Sequence, residues 1–347
     1  MNNNPANTPY PSAIKLLMML CIIIMSTQAR AQSPWDKFYD HDTLTTKELG
    51  KVVIHVTKTN RNAIKPLLVY LDGSGNYPLY YRKNSGKYNT SIALDIVKYA
   101  KDYTVVLISK PGIPFSDSLR YQQGRAYYPD NEVYDRYYSL QWRAGTASAA
   151  INYLLKKIPV DQKHILVMGY SEGSQVAPAV AVMNKKVTHV VCMVGNALNQ
   201  LYDFIISARL DADQGNKTAL ESQHTVDSLY TEFAKIYADP KSTSKKWFGA
   251  TYLKWSSFSE STPLENMLKL NIPILYMGGG KDNNQTIIDM DYAKLEFLRK
   301  GKTNLTYKVY ENSNHYLQET EMNDGKEVRT DRSDEAHQFA LTWSKAN

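Results

Sequence analysis

The stretch His164-Ile165-Leu166-Val167-Met168-Gly169-Tyr170-Ser171-Glu172-Gly173-Ser174-Gln175-Val176-Ala177-Pro178-Ala179-Val180 decides the reading of this chain. Its first five residues form a short apolar run of strand character. From Val176 onward apolar and small residues recur at helical spacing. Between the two lies Gly-x-Ser-x-Gly, and a strand that enters a helix through this pentapeptide is a nucleophile elbow. Such a turn is strained, so that the hydroxyl stands clear of the sheet. Side chains two residues before and after the serine would collide with the strand and helix packed there, which is why both positions call for glycine. The five letters recur by chance in proteins, so the flanks carry the argument. Pro178 falls early in the helix, where a proline introduces a kink.

The alternation continues on both sides. Residues 52–57 (VVIHVT) alternate in strand fashion, and 65–71 contain LLVYL and run into Asp72-Gly73-Ser74-Gly75. Residues 104–109 (TVVLIS) are an apolar strand stopped by Lys110-Pro111-Gly112. Further strands are expected at 187–194, 272–277 and 305–310. Ala147, Ala150, Ile151, Leu154, Leu155 and Ile158 make one helical stripe, and Ala336, Phe339, Ala340 and Trp343 another. Near-continuous apolar strands separated by helices predict an α/β fold: a mostly parallel central sheet with helices on both faces. Residues 197–268 break the rhythm with polar, helical segments and with Trp247, Phe248, Trp255 and Phe258. They are expected to form a helical cap insertion over the C-terminal edge of the sheet, within one domain running from 32 to 347.

A serine nucleophile needs a base, and the base an orienting acid. After 272–277 comes Gly278-Gly279-Gly280-Lys281-Asp282, and after 305–310 comes Glu311-Asn312-Ser313-Asn314-His315. Each places a titratable residue at the C-terminal end of a strand. Asp289 and Asp291 follow closely and read as caps of the next helix. Among the other histidines, His164 and His189 begin or lie inside strands, His224 lies in the insertion and His337 beside the apolar face of the last helix.

Over about residues 50–345 these features resemble the α/β-hydrolase superfamily, in which the acid and the histidine follow the last two strands. The turn Pro111-Gly112-Ile113-Pro114-Phe115-Ser116-Asp117 is similar to the family's Arg-Gly-x-Gly-x-Ser-Asp turn, with Pro111 and Pro114 as departures. Asp72-Gly73-Ser74 stands where the family has its His-Gly-x oxyanion turn, with Asp72 replacing histidine. The resemblance implies a catalytic triad of Ser171, His315 and Asp282. It implies an oxyanion hole made by the backbone N–H groups of Glu172 and of Ser74 or Gly73, with the Glu172 carboxylate exposed or against the cap. The implied activity is hydrolysis of a carboxylic ester through an acyl-enzyme, without cofactor or metal. A peptidase or amidase of the same fold, and a non-catalytic binding protein on the same scaffold, are the alternatives. Prolyl-peptidase relatives carry a large extra domain, for which residues 32–50 are too short.

Composition sets the outer bounds. Of 347 residues, 43% are hydrophobic and 22% charged, which excludes a collagen-like fibre, a disordered chain and a polytopic membrane protein. Lys and Arg exceed Asp and Glu by 41 to 34, too mild an excess to predict a nucleic-acid partner. Cys21 and Cys192 build neither a disulfide framework nor a zinc site. There is no His-Glu-x-x-His, Gly278-Gly279-Gly280 lacks dinucleotide spacing, and Gly301-Lys302-Thr303 has Glu296 where a phosphate loop has glycine. Lys15, the apolar run 16–25 and Ala29-Arg30-Ala31 read as a signal peptide, 1–31, cut before Gln32. The expected location is therefore secreted or periplasmic with no stable membrane anchor. A lipid anchor on Cys21 is the rival, with Leu20 where a small residue is usual.

Tyrosine is over-represented, 26 against 8 Phe, and twelve lie between residues 77 and 138. Loops after parallel strands rim the crevice of such folds. Tyr77, Tyr80, Tyr127 and Tyr128, interleaved with Lys83, Lys87, Arg120, Arg125 and Arg136, are therefore candidates for an aromatic, weakly basic substrate wall. Plain packing of long surface loops is the other reading. The expected partner is a small-molecule or glycan-linked ester.

Overall fold

A computed structural model of the chain describes residues 33–324 and 326–347. The signal peptide expected at 1–31, the expected cleavage site and Cys21 lie outside the described residues. The central sheet has eight strands: β1 (Tyr39–Thr46), β2 (Gly50–Thr57), β3 (Lys65–Leu71), β4 (Thr104–Ile108), β5 (Val160–Tyr170), β6 (His189–Met193), β7 (Ile274–Gly279) and β8 (Leu305–Tyr310). Their order is β1-β2-β4-β3-β5-β6-β7-β8. Only β2 runs antiparallel to its neighbours; the remaining pairs are parallel. This is the mostly parallel sheet predicted from the apolar runs.

Every residue of β4 and β6 is buried, which a strand covered on both faces requires. In β3 the period of two separates the faces. Leu67, Val69 and Leu71 join the main core with α1 (Leu140–Lys157) and α2 (Glu172–Met183), while Leu68 and Tyr70 are equally buried on the opposite side. There the C-terminal helix α8 (Ser333–Ala346) packs: its His337 stacks on Tyr170 at 6.2 Å, and Trp343 donates to Thr306 Oγ1 at 3.0 Å. Pro178 does not interrupt α2, which runs through it.

Between β6 and β7 come α3 (Tyr202–Asp213), α4 (Ala219–Ala238), α5 (Tyr252–Glu260) and α6 (Pro263–Leu268). Thr218 and Glu221 close a capping box on α4, and Thr262 and Glu265 another on α6. Leu201, Phe233, Ile236, Tyr252 and Trp255 form a separate small core against Phe204 and Trp247. The C-terminal part of 197–268 departs from the cap reading: Phe258, Leu264 and Met267 belong to the main core under the sheet. A two-residue ladder, Lys246–Trp247 with Ala250–Thr251, also interrupts the helices. An exposed hairpin absent from the sequence reading, Gln318–Asn323 with Lys326–Asp331, separates the His315 loop from α8.

Candidate active site

β5 ends at Tyr170 and α2 begins at Glu172, so Ser171 alone makes the turn. Its φ of 53° and ψ of −122° are strained for a residue with a side chain. A Cβ at Gly169 would lie 2.0 Å from the Gly173 carbonyl oxygen, and one at Gly173 would lie 2.1 Å from the Leu71 carbonyl oxygen. The first glycine thus lets the helix close on its own strand, and the second seats the elbow against the end of β3. A third contact was not foreseen. At Gly195 a Cβ would lie 2.6 Å from the Ser171 carbonyl oxygen and 1.6 Å from Ser174 Oγ.

The structure brings Ser171, His315 and Asp282 together. His315 Nε2 lies 3.0 Å from Ser171 Oγ, and His315 Nδ1 lies 2.7 Å from Asp282 Oδ2. Asp282 Oδ1 accepts from the backbone N–H groups of Asn284 and Gln285, at 2.8 and 2.9 Å. Both of its oxygens are therefore occupied, and the carboxylate is fixed and 5% exposed. A Cβ at Gly279 would stand 2.2 Å from the Ser313 carbonyl oxygen, and one at Gly280 would stand 2.5 Å from that of Glu311. The glycines after β7 thus allow the acid loop and the histidine loop to touch. Tyr170, beside the serine, donates its hydroxyl to the His315 carbonyl oxygen at 2.9 Å.

Gly73 sits against the serine: a Cβ there would be 3.4 Å from Ser171 Cβ and 3.8 Å from Oγ. Among the described residues nothing accepts from the backbone N–H of Gly73, Ser74 or Glu172. Unpartnered N–H groups beside a nucleophile, one of them opening a helix, are suited to a developing negative charge.

Beneath this turn lies a buried ionic network that the sequence reading missed. Lys110 Nζ is 2.8 Å from Asp72 Oδ2, and Arg143 Nη2 is 2.8 Å from Asp72 Oδ1. Glu172 meets Lys254 at 3.0 Å, Arg143 at 3.5 Å and the Tyr138 hydroxyl at 2.5 Å. The Glu172 carboxylate is therefore not exposed; it is 2% accessible and reaches the cap only through Lys254 and Gln200. Burial pushes its pKa up, but Lys254 and Arg143 outweigh that and hold it at about 2. Burial lowers Lys110, with the Asp72 charge opposing.

Among solved structures the fold is similar to a puromycin-hydrolysing peptidase of Mycobacterium tuberculosis (15% identical, TM-score 0.50, covering 83% of this chain and 38% of that one). It is similar to the same degree to dipeptidyl peptidase 4 of Porphyromonas gingivalis (12% identical, TM-score 0.50, covering 88% of this chain and 35% of that one). This chain therefore spans little more than a third of either structure, and the likeness is one of fold. No curated protein matches the chain. The family described as BAAT / acyl-CoA thioester hydrolase C terminal matches residues 148–319, a stretch that holds Ser171, Asp282 and His315. The fold is the α/β-hydrolase fold.

Next to the elbow, at Ser74 and Glu172, the chain has a cavity of about 600 Å³, within the range of small-molecule sites, whose lining does not include Ser171, Asp282 or His315. The oxyanion turn (Ser74, Gly75, Asn76) and the acid loop (Asn283, Asn284, Gln285) form one side. Phe204, Phe248 and Trp255 contribute apolar surface from the cap. Of the tyrosines in the two loops Tyr134 lines the cavity, but Tyr77, Tyr80, Tyr127 and Tyr128 do not form its wall. Tyr80 is buried, its hydroxyl 2.7 Å from that of Tyr39 and its ring edge-on to Phe115. Tyr77 donates to the Ala126 carbonyl oxygen and Tyr128 to Asp117, and neither they nor Tyr127 line the cavity. Lys83, Lys87, Arg120, Arg125 and Arg136 are all exposed away from it. The lining is acidic instead. Lys246 bridges Asp130 and Asp135, Lys254 is held by Glu172, and Asp203 forms no ion pair among the described residues.

Asp289 and Asp291 cap nothing. Asp291 accepts from the Tyr307 hydroxyl at 2.5 Å. Asp289, on α7 (Ile287–Arg299), is wholly buried and its carboxyl interacts with that of Asp203, which accepts from Asn196 Nδ2 at 2.6 Å. Burial and then mutual repulsion raise Asp203 well above the ordinary carboxyl range, and burial raises Asp289, so the pair shares a proton. The folded chain thus binds a proton that the unfolded carboxyls release above about pH 4. Stability contributed by this proton is full at acid pH and declines as pH rises. In Asp289→Asn an amide N–H replaces the shared proton. Its Tm relative to wild type should therefore be higher at pH 8 than at pH 5; a difference independent of pH would contradict the shared proton.

Proposed function

We propose that the protein is a serine esterase that cleaves a neutral carboxylic ester of small to medium size. The observation that carries this is the Ser171–His315–Asp282 chain, at 3.0 and 2.7 Å, beside backbone N–H groups that have no partner among the described residues. Ser171 Oγ attacks the acyl carbon, its proton passes to His315 Nε2, and the carbonyl electron pair moves onto oxygen. The N–H groups of Glu172 and Ser74 stabilise that oxyanion. On collapse His315 returns the proton to the leaving alcohol, and water then repeats the sequence on the acyl-enzyme. Asp282 stabilises the imidazolium in both halves. An acidic lining with each lysine already paired favours a neutral substrate over a polyanionic one such as a coenzyme A thioester.

A kinetic series on p-nitrophenyl acetate, butyrate and octanoate beside an aminoacyl anilide tests this reading. Each methylene buried against Phe204, Phe248 or Trp255 contributes about 0.8 kcal/mol, so butyrate should exceed acetate in kcat/KM by about 15-fold. Esters should outrun the anilide, because a phenolate leaves more readily than an amine. Faster cleavage of the anilide would replace the esterase reading with a peptidase. A preference for acetate would mean that the cavity does not take the acyl chain.

A further inference from the structure

Three carbonyl oxygens of the turn after β3 are held by buried cations. Arg143 Nη2 donates to the Asp72 carbonyl oxygen at 2.9 Å, and Lys110 Nζ donates to those of Gly73 and Gly75, both at 2.7 Å. Gly75 has a φ of +87°, a conformation open to glycine that lets the turn fold round one ammonium. In a trans peptide the C=O and the following N–H point in opposite directions. Fixing the Gly73 carbonyl onto Lys110 therefore aims the Ser74 N–H away from the ammonium. Fixing the Asp72 carbonyl onto Arg143 does the same for the Gly73 N–H. Gly73 itself stands against Ser171.

We propose that Lys110 is a positioning residue of the oxyanion hole: by holding the Gly73 and Gly75 carbonyls it sets the direction of the Ser74 N–H, and with Asp72, Arg143, Glu172 and Lys254 it forms a buried network that fixes both halves of the hole. Lys110 donates to the two carbonyl oxygens and is ion-paired with Asp72 at 2.8 Å. Arg143 reaches both Asp72, before one donor, and Glu172, whose own N–H is the other donor. The network also accounts for an aspartate so close to a developing oxyanion. Three cations, Lys110, Arg143 and Lys254, face two carboxylates, Asp72 and Glu172, so one net positive charge lies behind the hole. In a water-poor interior a preorganised charge of this kind acts strongly on a transition state.

The inference rests on the serine-esterase reading, and the test separates the two. Lys110→Met keeps the stem of the side chain and removes the donors. With active sites titrated, its kcat on p-nitrophenyl butyrate should fall by about 10²-fold while KM stays within about threefold, because the lost interaction belongs to the transition state. An aryl trifluoromethyl ketone, which adds to Ser171 and leaves a charged oxygen in the hole, should lose affinity in the same proportion. Asp72→Asn/Lys110→Met, which leaves no unpaired carboxylate, is read in the same way where the single variant does not fold. Wild type labelled at Ser171 by a fluorophosphonate, with kcat and ketone affinity of a folded variant within threefold of it, would overturn the role of Lys110 alone. Wild type that takes no label would remove the esterase reading and this inference with it.

Discussion

Ser171→Ala should lower kcat on p-nitrophenyl butyrate by about 10⁶-fold, the scale on which loss of a triad serine or histidine removes the whole unit. The serine has no neighbour able to stand in for it. Ser174, three residues on, donates its hydroxyl to the Ser171 carbonyl oxygen at 2.7 Å and is buried at the start of α2. Alanine is well tolerated in the cramped turn, since it removes one oxygen and leaves the strained backbone as it was. The fold should therefore survive, and the loss should be read in kcat with Tm little changed. Retention of more than about a thousandth of the turnover would move the nucleophile elsewhere.

Asp282→Asn should cost about 10⁴-fold in kcat, for a reason visible in the hydrogen bonds. Asp282 Oδ1 is held by two backbone N–H groups, from Asn284 and Gln285, which only an oxygen can satisfy. An asparagine must place its carbonyl there, so its NH₂ takes the place of Oδ2 and points at His315 Nδ1. The imidazole then presents Nδ1 as acceptor and carries its proton on Nε2, where it cannot take the proton of Ser171. Asp291→Asn, whose carboxylate meets only Tyr307 in the contacts described, should stay within tenfold of wild type. Steady-state kinetics on the two variants checks the ranking, and a larger loss in Asp291→Asn would reassign the acid.

The parts of this molecule that follow from local rules were legible in the sequence. The strands β3 to β7 announce themselves as apolar runs because both faces of the sheet are covered there. The elbow is readable because its glycines answer to contacts within a few residues of the serine. Strand β1 was missed because it is an edge strand whose YDHDTLTT side chains are largely half-buried or exposed, so it carries little apolar signal. The hairpin at 318–331 was missed for the same reason.

Assigning the cavity walls failed for a different reason. A loop tyrosine carries no record of whether it faces a crevice or the protein, and Tyr80 turned inward onto Tyr39 and Phe115. The network of Lys110, Arg143, Glu172 and Lys254 depends on pairings between distant segments that no local pattern encodes. One signal was available: Lys110 directly follows the apolar strand TVVLIS, and Arg143 lies on an otherwise apolar helix face. A charge in such a place is buried, and a buried charge needs a partner.

The central claim is that Ser171 is an activated nucleophile, and covalent labelling tests it most directly. Purified protein treated with a fluorophosphonate, digested and sequenced by mass spectrometry should carry one adduct, on the peptide holding Gly169-Tyr170-Ser171-Glu172-Gly173, and Ser171→Ala should carry none. Labelling that persists in Ser171→Ala, or a wild type that takes no label at neutral pH, would contradict it.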